Sequence, residues 1–244
     1  MQKIIQTHLT RYQAEFEAQS PFPHLIIDDL WDREFLSEVR LEVENNQAWG
    51  GEKNFAGSVS KRWLDDYRLL PRSVRKLIDY MNSIAFIDQL EALTSIERLS
   101  PDPHLFGGGI HSIGENGFLG LHADFNWHEK LRLWRRVNVL VYLNEGWREE
   151  YKGDLLLARA VDGSAPVVER RVPPVFNRTV IFRTDENSIH GHPERLRPPL
   201  GRRRNSIALY YYSLRASDQE FSSGQKRTNT IYHSSHLQVI NDPV

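Results

Sequence analysis

The stretch GFLGLHADFNWHEK, residues 117–130, sets His122 and Asp124 two positions apart inside a run with the texture of a strand. In a strand, residues i and i+2 share a face, so an imidazole and a carboxylate here can grip one cation. Alone the motif is weak: ten histidines among 32 acidic residues in 244 produce about one His-x-Asp/Glu by composition. The chain holds two, and the second, His192-Pro193-Glu194, carries a proline that fits a turn better than a central strand. A metal site built on His122 and Asp124 needs a third ligand from elsewhere.

Composition narrows that search. The chain has no cysteine, which excludes disulfides, thiolate zinc sites, cysteine-ligated clusters and cysteine nucleophiles, so any metal is held by His, Asp or Glu. Thirty-one basic and 32 acidic residues leave a net charge of −1, which creates no global field toward nucleic acid or an anionic membrane. The amino terminus, MQKIIQTHLTRYQAEFEAQ, lacks the apolar run of a secretory leader, and no segment has the length to span a bilayer. The expectation is a cytoplasmic protein with neither nucleic acid nor membrane as partner.

Outward from the motif, residues 101–215 break into eight short β-like runs punctuated by Gly, Pro and Asn: 108–113, 118–124, 136–144, 153–158, 167–172, 178–183, 188–192 and 204–213. Upstream, residues 1–19 fit a short amphipathic helix and Leu25, Ile26 and Ile27 a strand. Asp32 offers an N-cap to a helix carrying Phe35, Leu36, Val39 and Val43, and residues 73–95 fit two helices broken near Asn82 and Ser83. Residues 49–66 read as loop with one edge strand at most. The fold class expected is mainly β with N-terminal helices, around a double-stranded β-helix of the jelly-roll or cupin kind. It is one domain in three parts: a helical and edge-strand region over 1–100, the core over 101–215, and an unassigned tail over 216–244 with a basic patch at Lys226 and Arg227.

His190 is the best third ligand, because RTVIFRTDENSIHGH reads as a strand, a polar turn and a returning strand that begins just before it. His192, before a proline, suits the cavity mouth or a carboxylate contact. Two imidazoles and one carboxylate leave about three positions of an octahedral ion open, an arrangement suited to non-haem Fe(II) and O2 chemistry. On the last strand, Arg204 and Ser206 share a face and form a natural anchor for the distal carboxylate of a dicarboxylic acid, and alternation in VNVLVYLN brings Asn138, Leu140 and Tyr142 to one face. Arg202 and Arg203 remain competitors of Arg204, which only its strand context sets apart.

With His122-Ala-Asp124, a distal His190, Arg204-Asn-Ser206 opening IALYYY, and VLVYLNE between them, the sequence resembles the Fe(II)- and 2-oxoglutarate-dependent oxygenases, prolyl-hydroxylase-like branch, over about residues 105–213. The resemblance implies that His122, Asp124 and His190 bind the metal and carry catalysis. It also implies that Arg204, Ser206 and Tyr142 hold the far carboxylate of 2-oxoglutarate, and that Fe(II), 2-oxoglutarate and O2 are the cofactors. Halogenating relatives replace the carboxylate with a small residue, so Asp124 favours oxygen transfer. The insert HPERLRPPLGRR before Arg204 is longer than in many relatives.

The function expected is hydroxylation of an unactivated C–H in an amino acid, peptidyl residue or natural-product intermediate, with release of succinate and CO2. Trp127, His128 and Trp134 are placed to line the pocket, and residues 194–203 to form a cationic rim. The rival readings are a cupin-type metal enzyme that does not use 2-oxoglutarate and a non-catalytic β-sandwich binding module.

Overall fold

The computed structural model describes residues 4–55, 57–162, 164–214 and 227–233. A 3-10 turn, Leu9–Tyr12, leads into α1 (Gln13–Ala18), β1 (His24–Asp28), α2 (Arg33–Glu44), β2 (Gly51–Phe55), β3 (Ser58–Leu64), α3 (Arg72–Met81), α4 (Ile84–Thr94) and β4 (Ser100–Pro101). The remaining strands are β5 (Gly109–Ala123), β6 (Trp127–His128), β7 (Leu133–Tyr142), β8 (Leu155–Arg159), β9 (Val167–Val172), β10 (Arg178–Arg183), β11 (Ile189–His192), β12 (Arg204–Ser213) and β13 (Ile231–Tyr232).

The strands pair antiparallel in the order β1-β10-β7-β12-β5-β11-β8-β9. β5 is the pivot. Its first half pairs with β12 (Ile113↔Arg204, Ile110↔Ile207), and its second half pairs with β11 (His122↔His190). One strand thus serves both halves of a curled sheet, as a double-stranded β-helix requires.

Two expectations are corrected here. Runs 108–113 and 118–124 form the single strand β5, bent where Asn116 takes φ +58°. A Cβ on the neighbouring Gly117 would meet Ile113 Cγ2 at 2.5 Å and Gly114 O at 2.8 Å, so the bend tolerates no side chain there. Residues 49–66, read as loop, contain the hairpin β2-β3, and β3 extends the sheet on β5 (Trp63↔His111, Ser58↔Leu119). Its mixed residues gave little alternation because they are mostly half-buried or exposed.

The helices follow their patterns. Asp32 accepts a hydrogen bond from Phe35 N at 2.9 Å and starts α2, whose Phe35, Leu36, Val39 and Val43 are buried. These join Leu77, Ile78 and Met81 of α3 and Phe86, Leu90 and Leu93 of α4 in one cluster against Val137, Val139 and Val141 of β7 and Ile207, Leu209 and Tyr211 of β12. Trp31 Nε1 donates to Thr179 Oγ1 at 2.8 Å, and Tyr211 OH donates to Met81 O at 2.9 Å, tying helical layer to sheet. The opposite face of β7, with Leu140 and Tyr142, joins Val180 and Phe182 of β10 and packs against Leu155 and Leu157 of β8 inside the fold. No helix among the described residues is long and apolar enough to cross a membrane.

Candidate active site

The inner face opens into a cavity of about 1010 Å³ lined by His122, Asp124, His190, Arg204, Ser206 and Tyr142 together. The six residues singled out in the sequence therefore share one space.

At one end, ligand atoms of His122, Asp124 and His190 all lie within 4.8 Å of one another. Close approach of β11 to β5 brings them together: a Cβ on Gly191 would sit 2.6 Å from Gly120 O, so only glycine lets His190 pair beside His122. A register shift between the His190 and His192 pairs leaves two residues of β5, Gly120 and Leu121, opposite one of β11, Gly191, and both Leu119 and His122 consequently face the cavity.

The hydrogen bonds decide what these groups offer. His122 Nδ1 donates to Gly120 O at 2.8 Å and His190 Nδ1 to Ser188 O at 2.9 Å. A carbonyl only accepts, so in each neutral ring Nδ1 keeps the proton and Nε2 is a bare lone pair. The Nε2 atoms lie 3.5 Å (His122) and 3.4 Å (His190) from Asp124 carboxylate oxygens. With both rings neutral, three acceptors converge on one point, an arrangement that suits a cation. Burial pushes His190 down to about 4, against the attraction of Asp124, so the ring is neutral and able to ligate near pH 7.

Asp124 sits just past the end of β5 and is held from behind. Arg135 Nη2 reaches its Oδ2 at 2.8 Å, Asn138 Nδ2 donates to the same oxygen at 2.8 Å, and Arg135 Nε donates to Asn138 Oδ1 at 2.9 Å. Burial alone would raise the carboxyl, but Arg135, then His190 and His122, outweigh it and hold it well below the usual range. With Oδ2 saturated, Oδ1 is the oxygen left to a metal. Arg135 is itself buried, its guanidinium 3.5 Å from the Tyr210 ring centroid and 4.7 Å from that of Phe125. Sequence reading missed the Arg135 clamp. Asn138 was legible as a neighbour of Tyr142 by alternation, but its partner was not.

At the other end, Arg204 is 4% exposed, donates from Nε to Gly153 O at 2.8 Å and from Nη2 to Tyr142 OH at 3.2 Å, and has no ion-pair partner among the described residues. A buried guanidinium without an anion is costly unless one arrives. Ser206 and Tyr142 are Cα partners across β12 and β7 and complete this end. The competing arginines point elsewhere: Arg203 bonds Ser112 and Ser60, and Arg202 bonds Glu145 O.

The expected cationic rim is not there. Residues 194–203 contribute nothing to the cavity lining among the described residues, because Arg195 lies over Phe118 and bonds Asn116 O while Arg202 and Arg203 are engaged as above. Arg227, Thr228, Asn229, Thr230 and Tyr232 of the unassigned tail line the cavity instead. Thr228 N donates to Asn126 Oδ1 at 2.8 Å, β13 pairs with the end of β5 (Tyr232↔His122), and Arg227 lies 4.0 Å over Trp127. Lys226 and residues 234–244 lie outside the described residues. Trp127 and His128 line the cavity as expected, whereas Trp134 packs behind on Trp127; His128 also faces Asp102 at 3.2 Å, which makes it a wall residue.

No curated protein matches the chain by sequence. Residues 108–212 match the sequence model of the 2OG-Fe(II) oxygenase superfamily. Among solved structures, a Pseudomonas putida prolyl-4-hydroxylase is similar at TM-score 0.57 and 18% identity, covering 84% of this chain and 98% of that one. A Trichoplax adhaerens prolyl hydroxylase in complex with a hypoxia inducible factor peptide fragment scores 0.57 at 19% identity, covering 84% and 90%. HygX from Streptomyces hygroscopicus with nickel and 2-oxoglutarate scores 0.54 at 14% identity, covering 92% and 98%. At these identities the structures speak for the fold, and the segment similar to the 2OG-Fe(II) oxygenase superfamily, a family that works with Fe(II), 2-oxoglutarate and O2, contains the cavity's three acceptors and its buried arginine.

Proposed function

We propose that the chain is a hydroxylase that places oxygen at an unactivated C–H of an amino acid, a peptidyl residue or a natural-product intermediate, with His122, Asp124 and His190 as metal ligands and Arg204, Ser206 and Tyr142 as the 2-oxoglutarate anchor. The observation that carries this reading is the pairing, in one cavity, of three bare acceptors with a buried arginine that has no protein anion. When bound, Fe(II) would supply activation of O2, one oxygen atom of which would oxidise 2-oxoglutarate to succinate and CO2 while the other would go to the substrate C–H.

The chain's own residues do the rest. Gly120 and Ser188 carbonyls fix both imidazole tautomers, and Arg135 and Asn138 hold Asp124 to one free oxygen. Arg204, with the Tyr142 hydroxyl beside it, orients the co-substrate's far end. Tyr232 of β13 and the aromatic side chains of Phe106, Phe125 and Trp127 line the cavity and supply surface against which a substrate packs.

The test is anaerobic addition of Fe(II) and 2-oxoglutarate with a watch for a visible charge-transfer band, followed by a succinate screen over amino acids, peptides and metabolite pools. A band in the wild type that disappears in His190→Ala supports the reading. No band in the wild type, or an undiminished one in the variant, sinks it. Metal-dependent turnover with no succinate under any condition would favour the cupin-type alternative.

A further inference from the structure

Five histidines are buried among the described residues: His24, His122, His128, His190 and His192. Four hold a protein partner, through Phe22 O, Gly120 O, Asp102 and Ser188 O. His192 is the exception. It is 2% exposed and lines the cavity, and neither ring nitrogen meets a hydrogen-bonding group of the described residues. It lies outside the metal-ligating cluster, whose converging atoms belong to His122, Asp124 and His190.

Its position says which occupant it meets. His190, paired with His122, lies on the side of Tyr232. His192 is one pair further along β11, opposite Leu119, and lines the same cavity as Arg204 and Lys61. A buried polar ring turned into a space flanked by cations complements an anion that accepts hydrogen bonds.

We propose that His192 is a co-substrate-binding residue whose ring N–H donates a hydrogen bond to a carboxylate oxygen of 2-oxoglutarate, in addition to the contacts from Arg204, Ser206 and Tyr142. The inference rests on the reading of this cavity as a 2-oxoglutarate site. It gives a role to a buried polar ring that shares the cavity lining with Leu119, Leu140, Leu155 and Ile113 as well as with the anchor residues.

The experiment is anaerobic calorimetry of 2-oxoglutarate with the Fe(II)-loaded protein, comparing wild type with His192→Leu and His192→Gln. Loss of a hydrogen bond to a charged group should weaken binding by about ten- to a hundredfold in His192→Leu, with most of it recovered in His192→Gln, which keeps an N–H, and with iron stoichiometry unchanged in both. A second measurement needs no variant: in the zinc-loaded, 15N-histidine-labelled wild type, the His192 ring nitrogens should shift when 2-oxoglutarate is added. Equal affinities in wild type and His192→Leu, or an unmoved His192 signal under saturating 2-oxoglutarate, overturn the inference and leave the oxygenase reading standing. Failure of the wild type itself to bind 2-oxoglutarate overturns both.

Discussion

The two faces of β7 and β12 divide the molecule's work. On the outer face, Val137, Val139, Val141, Ile207, Leu209 and Tyr211 disappear under the helices in one apolar cluster. On the inner face, one residue out of step, Asn138, Tyr142, Ser206 and Tyr210 line the cavity with Arg204 at its end. The same backbone therefore carries stability on one side and chemistry on the other, because a strand's side-chain period is two. Substitutions one position apart should have effects of different kinds.

The largest effect on activity is expected at the metal end. His190→Ala should abolish stoichiometric iron binding and reduce succinate formation to background while leaving the urea midpoint of the metal-free protein close to wild type; retained iron would break the division. Next, Arg204→Ala should raise the 2-oxoglutarate half-saturation by about a hundredfold or more, because a buried charged contact is lost. Arg202→Ala should leave it unchanged, and equal effects would mean the anchor is misassigned. Asn138→Ala removes one of two donors to Asp124 Oδ2 and should weaken iron binding by about ten- to a hundredfold, read by metal titration.

The outer face should answer differently. Ile207→Ala, next to Ser206, should cost about 2–5 kcal/mol in denaturant unfolding and leave kcat and the 2-oxoglutarate requirement of the folded enzyme near wild type. The pH dependence returns to the inner face. His190 and His192 are both neutral in the fold, mainly through burial, and each takes up a proton on unfolding once pH falls below about 6.5. The unfolded state then binds more protons, so metal-free stability should fall with decreasing pH, by about 1.4 kcal/mol per pH unit for each such histidine, down to about 4 for His190. Asp124, held well below the carboxylate range, keeps its contribution across that window. Urea midpoints between pH 7.5 and 5 check the slope, and a flat profile would show that these rings are not buried neutral.

Alternation and spacing were enough to find the inner and outer faces of β7, the shared face of His122 and Asp124, and the pair Arg204 and Ser206. Those are properties of one strand, and period two writes them directly into the residue order. Arg204 was set apart from its two neighbours by strand context alone, and the fold adds that Arg203 bonds Ser112 and Arg202 bonds Glu145 O. The hairpin over residues 51–64 was hidden because neither face of it is fully buried, so no apolar rhythm marks it.

What residue order determined by itself was the donor chemistry: no thiolate, two histidines and a carboxylate, and a strand opening on arginine and serine. What only the tertiary structure decided was which groups face one another across distant segments. The Arg135 grip on Asp124, the carbonyls that set the imidazole tautomers, the partnerless ring of His192 and the cavity lining supplied by Arg227, Thr228, Asn229, Thr230 and Tyr232 all depend on the bend at Asn116, the bulge opposite β11 and the return of the tail onto β5. Such contacts join residues up to about a hundred positions apart, such as Asn126 and Thr228, and no local periodicity encodes them.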